Sequence, residues 1–197
     1  MPLALAHGLD SARLQIRLVT EADLPALLDV NGDDTVTRYL PYASWRGIED
    51  ARAWFARMNA LQAAGGALQF AIIDKRTSRA IGSCLLFRHE ESSARAELGY
   101  VLGRQYWGQG YMREALRRLI DCAFGELSLR RLEAEVDPRN VRSARVLTQL
   151  GFAQEGLLRE RWLTRGVPCS VNTYGLLQRE WAPSGAADRD PVAAFLG

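Results

Sequence analysis

The stretch that decides the fold is ELGYVLGRQYWGQGYMREAL, residues 97–116. It begins with the alternation typical of a strand, passes through a loop with two glycines, and continues with the spacing of an amphipathic helix. Glycine lets the backbone of such a loop approach a ligand closely. The first turn of the helix leaves amide N–H groups without partners, at the positive end of the helix dipole. The segment therefore predicts a site for a phosphate or diphosphate group.

Other phosphate-binding loops are excluded by the spacing of the glycines. The sequence GxxxxGK followed by Ser or Thr is absent, so the loop is not a P-loop. GxGxxG is also absent, so it is not a dinucleotide-binding fingerprint. Taken alone, the two glycines also fit a turn that binds no ligand.

The hydrophobic period on either side of this segment predicts seven strands and four helices. We expect strands at 14–20, 68–74, 80–87, 96–102, 130–137, 152–163 and 167–178. We expect helices at 21–30, 48–62, 109–124 and from about 140 to 151. Short links between the strands from 68 to 102 favour antiparallel pairing. The mixed order indicates an α+β domain with one central sheet and helices on its faces.

Length and composition restrict the domain organisation. A chain of 197 residues with 48% hydrophobic content fits one domain with one buried core. We expect residues 1–12 to be an N-terminal lead-in, 13–181 to form the domain, and 182–197 to be a mobile tail. The N-terminus lacks the features of a secretory signal. No stretch approaches the ~20 apolar residues that span a bilayer, so we expect a cytoplasmic protein.

The charged and metal-ligating residues exclude several kinds of partner. The formal net charge is only +2, which gives no strong field for nucleic acid or for a membrane surface. The three cysteines form no CxxC pair, and the two histidines are too isolated for a metal site or a catalytic triad. We therefore expect no metal, no nucleic acid and no membrane as partners, and either a monomer or a homodimer.

The same segment resembles the GNAT superfamily of N-acetyltransferases. Gln105, Gly108 and Gly110 match the signature Q/R-x-x-G-x-G/A of that superfamily. Further agreement comes from EVDPRNVRSARVLTQLGF at 135–152 and YGLLQREW at 174–181. The resemblance covers roughly residues 12–181 and is strongest to the branch that acetylates the N-terminal alanine or serine of ribosomal proteins. It implies a mostly antiparallel sheet of about seven strands with a splayed central pair, flanked by about four helices.

The resemblance also implies acetyl-CoA as donor and assigns residues to it. The pantetheine arm would lie between strands 96–102 and 130–137, and it would pair with the backbone of Tyr100, Val101 and Leu102. Asn140 would bond a pantetheine amide or cap the next helix, and Ser143 would face the thioester sulfur. The diphosphate would be held by backbone amides, those of Gln105, Trp107, Gly108, Gln109, Gly110, Tyr111 and Met112.

Acetyl transfer by direct attack in a ternary complex requires a base for the acceptor ammonium. The resemblance points equally to Glu135 and Glu97, with Ser143 near the leaving sulfur. The alternative is that the glutamates of these strands pair with arginines such as Arg95 or Arg131. A bulge after Glu97 would free backbone N–H groups for the carbonyl oxygen. Many family members have a tyrosine as acid where this chain has Leu147, so Ser143, a water or no acid must serve.

Three functions remain open at this point. The first is acetylation of a protein N-terminus, including that of a ribosomal protein. The second is acetylation of a small amine such as a polyamine, an amino acid or an antibiotic. The third is a non-catalytic CoA-binding module.

Four aromatic residues in or after the loop at 32–46 fit either a pocket for the acceptor or a satellite hydrophobic cluster, namely Tyr39, Tyr42, Trp45 and Trp54.

Overall fold

A computed structural model describes residues 3–5, 7–164 and 166–182. Four α-helices and eight strands follow one another in this part of the chain. The helices are α1 Leu24–Asn31, α2 Ile48–Ala63, α3 Tyr111–Gly125 and α4 Val141–Gln149. The strands are β1 Leu9–Asp10, β2 Leu14–Leu18, β3 Leu68–Asp74, β4 Arg79–Glu90, β5 Arg95–Leu102, β6 Arg131–Val136, β7 Ala153–Thr164 and β8 Val167–Leu177.

All eight strands belong to one mixed sheet in the order β1-β2-β3-β4-β5-β6-β8-β7. Every neighbouring pair is antiparallel except β5 and β6, which are parallel. The predicted α+β fold is confirmed, with eight strands where about seven were expected. The additional strand, β1, lies within the predicted lead-in. It forms because Leu3 and Leu9 are buried in the core, which draws this segment onto β2.

The mobile tail predicted for 182–197 lies outside the described residues except for Ala182. Within the described ranges, no helix has the length and apolar character needed to cross a membrane.

Two hydrophobic clusters cover the two faces of the sheet. The larger one packs α3 and α4 against the sheet, and the smaller one packs α1 and α2 against β3 and β4. The helix α3 buries the face predicted from its period, which consists of Met112, Leu116, Leu119, Ile120 and Ala123. This burial fixes the N-terminus of α3 beside the end of β5.

The parallel strands β5 and β6 part soon after they meet. Their register contains only three pairs, Arg95 with Arg131, Ala96 with Leu132, and Glu97 with Glu133. Among the described residues, β5 pairs only with β4 beyond Glu97, and β6 pairs only with β8 beyond Glu133. The splayed central pair is thus confirmed, and a gap opens towards the N-termini of α3 and α4.

The bulge predicted in β5 is found in β4. From Gly82–Leu102 to Phe87–Glu97 the register between β4 and β5 is regular. It shifts between Phe87 and Glu90 of β4, where Arg88 has a φ of +50°. Since β4 carries the extra residue, β5 itself stays regular. The backbone groups of β5 are freed by the departure of β6 and not by a bulge after Glu97.

Candidate functional site

The loop before α3 is shaped by two glycines in the left-handed region. Gly108 has a φ of +74° and Gly110 a φ of +79°, a conformation that other residues adopt only with strain. A Cβ added at Gly108 would meet no atom within 4 Å, so open space lies against the backbone there. A Cβ at Gly110 would lie 3.5 Å from Nη2 of Arg13. The loop therefore exposes its backbone at Gly108.

The start of α3 carries amides without partners. Gly110 occupies the N-cap position and, as a glycine, has no side chain that could accept from these amides. The first helical bond runs from the Glu114 amide to the Gly110 carbonyl at 3.0 Å. The amides of Tyr111, Met112 and Arg113 precede that bond and find no acceptor among the described residues. Such amides, with the helix dipole, suit an anion.

Arg13 and Gln109 brace this loop from outside. Arg13 Nε donates to Glu114 at 2.6 Å and its Nη1 to the Gln109 carbonyl at 3.0 Å. The Gln109 side chain donates to the Gln105 carbonyl at 2.7 Å. Trp107 departs from the predicted set, because its amide donates to the Arg104 carbonyl at 3.1 Å in a 3-10 turn. Its amide is therefore not available for a diphosphate.

The backbone of β5 presents alternate residues to the gap. Gly103 donates to the Ile81 carbonyl at 2.8 Å, continuing the ladder with β4. The Ala94 carbonyl accepts from Arg130 at 2.7 Å, on the side of β6. Because an antiparallel ladder alternates, Tyr100 and Leu102 face the gap and Val101 faces Ser83 of β4. The prediction for Val101 is thus wrong for this register, whereas those for Tyr100 and Leu102 fit it.

One of these gap-facing groups already has a partner. The indole Nε1 of Trp107 donates to the Leu102 carbonyl at 2.7 Å. Within the part of the chain that the structure describes, no partner lies on the gap side of the Leu102 N–H or of the two Tyr100 backbone groups. These groups can pair with an extended ligand.

The far side of the gap is formed by the N-terminus of α4. Asn140 caps this helix, since its Oδ1 accepts from the Ser143 amide at 3.2 Å. The side-chain Nδ2 of Asn140 has no acceptor among the described residues, so the cap leaves this group available to a ligand. The two readings of Asn140 from sequence are therefore compatible.

Tyr100 and Ser143 join the two sides of the gap. The Tyr100 hydroxyl lies 2.8 Å from Ser143 Oγ and 3.2 Å from the Ser143 carbonyl. Burial raises the pKa of the Tyr100 phenol above its ordinary value. The sequence assigned a role only to the backbone of Tyr100, so this side-chain contact was not predicted. The signal was the alternation of Leu98, Tyr100 and Leu102, which places the three side chains on one face.

Three glutamates lie on one face at the point where the strands part. The side chain of Glu97 is 12% exposed and accepts from Arg88 Nη1 at 2.6 Å. Glu135 accepts from the Trp162 indole at 2.6 Å and lies 3.6 Å from Arg161 Nε. Each of these carboxylates contacts one nearby arginine.

Glu133 pairs with arginines, as the alternative interpretation of the sequence predicted for these glutamates. Its carboxylate contacts Arg95 at 2.8 Å and Arg131 at 2.7 Å. With two arginines on one carboxylate, Glu133 is a structural ion-pair residue and a poor candidate for a base.

The electrostatics separate Glu97 from its neighbours. Burial raises the pKa of Glu97, the bond to Arg88 lowers it, and the charges of Glu135 and Glu133 raise it again. The net direction is upwards, so Glu97 holds its proton more strongly than an exposed glutamate does. A carboxyl with a raised pKa beside other ionisable groups is typical of an acid–base site.

Arg88 and Trp162 belong to this cluster and were missed from sequence. The Arg88 guanidinium lies 5.0 Å from the centre of the Trp162 ring. A bulge in each of two strands brings them together, at Arg88 in β4 and between Leu158 and Trp162 in β7. The only signal was a break in the alternation of β4 near Arg88.

The aromatic residues of the loop at 32–46 divide into two groups. The Trp45 and Trp54 rings lie 5.3 Å apart, and both residues are buried in the smaller cluster, as the satellite reading predicted. Tyr42 donates to Asn31 Oδ1 at 2.9 Å. Tyr39 lies 5.7 Å from the Arg139 guanidinium, one residue before the cap of α4. Tyr39 is therefore the member of this set with a contact beside the N-terminus of α4.

A groove runs along the bulge of β7. It has a volume of about 770 Å³ and is lined by residues 157–161. Leu157 and Leu158 are exposed there, and Arg161 links the groove to Glu135.

In the described ranges, no cluster of three His, Cys, Asp or Glu side chains is arranged to hold a metal ion.

Comparison with known proteins agrees with this arrangement. Residues 13–153 match the model of the acetyltransferase (GNAT) domain. A relative from Bacillus licheniformis, named uncharacterized N-acetyltransferase p20, is 38% identical over 86% of this chain and 96% of its own. The Escherichia coli enzyme named ribosomal protein uS5-alanine N-acetyltransferase is 28% identical over 89% of this chain and 93% of its own.

A solved structure supports the same assignment at the level of the fold. The GNAT-family acetyltransferase from Bacillus anthracis superposes with a TM-score of 0.79, at 23% identity, over 88% of this chain and 100% of that one. The parted strands, the glycine loop and the family match lead to one conclusion. The chain belongs to the GNAT acetyltransferase family and is an N-acetyltransferase.

Proposed function

We propose that this N-acetyltransferase takes the acetyl group from acetyl-CoA and transfers it to the N-terminal amine of a protein, a ribosomal protein among the candidates. The observation that supports acetyl-CoA as donor is the gap between β5 and β6. This gap leads to the first amides of α3, which have no acceptor among the described residues. An extended arm fits such a gap because it can pair with an exposed strand edge.

Particular backbone groups would hold acetyl-CoA. The diphosphate would take the amides of Gly108 to Met112, where the open space at Gly108 admits it. The pantetheine arm would pair with Tyr100 and Leu102. The Nδ2 group of Asn140 would donate to an amide carbonyl of that arm. Acetyl-CoA supplies an acyl group on a thiol, which is a good leaving group at its ordinary pKa of about 8–9.

The residues of the chain would handle the proton and the charge. Only a neutral amine attacks, so the acceptor ammonium must first lose a proton, directly or through a water. Glu97 is the stronger candidate for this base, because its pKa is raised towards the range in which a base works best. Glu135 remains the second candidate. A gap-facing N–H group of β5 that the pantetheine arm leaves free would stabilise the charge that develops on the carbonyl oxygen.

The surroundings of the glutamates support a polypeptide acceptor. The groove of about 770 Å³ is lined by residues 157–161, and Arg161 connects it to Glu135. Exposed Leu157 and Leu158 offer apolar contacts to a chain there. A small amine would need a closed pocket for comparable burial. The name of the Escherichia coli relative points to the same class of acceptor.

Release of CoA thiol tests this proposal. Purified protein would be incubated with acetyl-CoA and peptides of one sequence with either a free or a blocked N-terminus, each with an internal lysine. We expect thiol release only with the free N-terminus, and mass spectrometry should locate the acetyl group there. Transfer to spermidine or to lysine, but not to the N-terminus, would refute the acceptor, and failure to bind acetyl-CoA would refute the whole proposal.

A further inference from the structure

Tyr100 spans the gap beyond the last pair between β5 and β6, which is Glu97 with Glu133. It belongs to β5, and its hydroxyl reaches Ser143 in the first turn of α4. The serine is fixed in turn by the Asn140 cap, which holds its amide at 3.2 Å. Both hydroxyls therefore have defined positions beside the space proposed for the pantetheine arm.

Acetyl transfer leaves a thiolate that needs a hydrogen-bond donor. Leu147, one turn further along α4, is fully buried and apolar, so it provides none. Ser143 is the first residue of α4 with a hydroxyl, and it has one proton to donate. Whether that proton can face the thiolate depends on what Tyr100 does with its own.

We infer that Tyr100 is a positioning residue, whose phenol donates to Ser143 Oγ and so directs the serine proton to the sulfur of the acetyl donor. This inference rests on the proposed use of acetyl-CoA. The amine nitrogen forms a bond to the acetyl carbon, and the C–S bond breaks with its electron pair on sulfur. The amine proton passes to the carboxylate base, and the thiolate leaves in a hydrogen bond from Ser143 and is protonated by solvent.

The environment of Tyr100 agrees with a donor that never ionises. Burial is the main reason that its pKa is raised, and the groups that act on it are Ser143 from α4 and Tyr174 from β8. A phenol with a raised pKa keeps its proton at pH 9, where much of the CoA thiol has lost its own. Tyr100 therefore orients the serine and does not itself protonate the thiolate.

The same distances define a second hydrogen-bond arrangement, which predicts a different effect of removing the Tyr100 hydroxyl. If the phenol donates to the Ser143 carbonyl, 3.2 Å away, then the serine proton points to Tyr100. In that arrangement, Ser143 has no proton for the sulfur. Removing the Tyr100 hydroxyl would then free the serine and strengthen its contact with a thiolate.

Calorimetry with CoA and desulfo-CoA at pH 9 separates these cases, because the two ligands differ only at sulfur. We expect the unaltered protein to prefer CoA about ten-fold, as a hydrogen bond to a charged group contributes about 1.5 kcal/mol. Tyr100→Phe should reduce the preference to about two-fold, as should Ser143→Ala and the double variant. Affinity for desulfo-CoA should stay unchanged, which shows that each variant is folded.

A matched control is Tyr174→Phe, which removes a phenol hydroxyl that contacts Gln154 at 3.3 Å on the other side of β8. It should keep the ten-fold preference. An unchanged or larger preference in Tyr100→Phe would overturn the inference, as would an unchanged preference in Ser143→Ala. If neither ligand binds the unaltered protein, the proposed function fails instead. In steady-state assays, Tyr100→Phe should lower kcat several-fold with little change in KM for acetyl-CoA.

Discussion

The Arg88 guanidinium lies 2.6 Å from the Glu97 carboxylate, and it reaches Glu97 from the bulge of β4 and not from the strand of Glu97. Arg88 also lies 5.0 Å from the Trp162 ring, whose indole donates to Glu135. One arginine thus connects the two candidate bases. Its charge opposes the burial that raises the pKa of Glu97, so it adjusts the pH range in which this carboxylate can accept a proton.

Arg88→Gln should therefore shift the pH dependence of the reaction. Loss of the cation raises the pKa of Glu97 further, and a base must be deprotonated to act. The acidic limb of kcat/KM should move to higher pH by about one unit. The measurement is a pH–rate profile with one peptide acceptor for both proteins, so that the titration of the acceptor amine cancels.

Arg88→Lys is the control, since it keeps a positive charge at the same left-handed position. Its limb should stay near that of the unaltered enzyme. Coincident profiles for Arg88→Gln and the unaltered enzyme would show that Glu97 does not control the acidic limb.

Glu97→Gln should depress kcat more than ten-fold near neutral pH, because the amide cannot accept the ammonium proton. Glu135→Gln should cost less if Glu97 is the base, and the order should reverse if Glu135 is. Steady-state rates of thiol release measure both. Glu133→Gln provides the comparison, since its carboxylate is held by two arginines. Full activity in both Glu97→Gln and Glu135→Gln would remove the two glutamates from the mechanism.

More of the residues of the donor site than of the acid–base site could be predicted from the sequence. The loop from Gln105 to Gly110 is contiguous, and glycine there has a local physical meaning, so the motif locates it. The contact of Arg88 with Trp162 depends instead on bulges in two distant strands. A bulge is set by the pairing of whole strands and leaves only a weak break in alternation. For the same reason the irregularity expected in β5 lies in β4.

Gly108→Trp should abolish binding of CoA, because an indole would fill the open space against the loop backbone. Calorimetry with CoA measures this directly. A substitution here also strains a backbone with a φ of +74°, which by itself costs about 1 kcal/mol.

Gly166→Trp separates the two effects. Gly166 has a φ of +76° and open space around it, but it lies in the turn before β8, away from α3. The Gly166→Trp variant should lose about as much stability as the Gly108→Trp variant, but it should retain CoA binding. Equal affinity for CoA in both variants would contradict the proposed diphosphate site.

Asp23→Asn should destabilise the fold through the junction between β2 and α1. The carboxylate of Asp23 is buried, accepts from Arg17 at 2.7 and 2.8 Å, and accepts from the Thr20 amide at 2.8 Å. Burial raises the pKa of Asp23, but the bonds from Arg17 and Thr20 together outweigh burial, so the net pKa is lowered. Removing the charge leaves Arg17 without its partner, and we expect a loss of about 2 kcal/mol in the free energy of unfolding at pH 7.

The sign of its pH dependence follows from the lowered pKa. The contribution of Asp23 is complete above the unfolded-state pKa of about 3.9 and is lost as the pH falls through the lower folded-state value. The difference between Asp23→Asn and the unaltered protein, measured by urea unfolding, should therefore shrink below about pH 4. The exposed pair Glu49–Arg52 is the reference, since Glu49→Gln should cost about 0.5 kcal/mol or less. If the difference in the free energy of unfolding between Asp23→Asn and the unaltered protein is the same at pH 2, then packing, and not the ion pair, stabilises this junction.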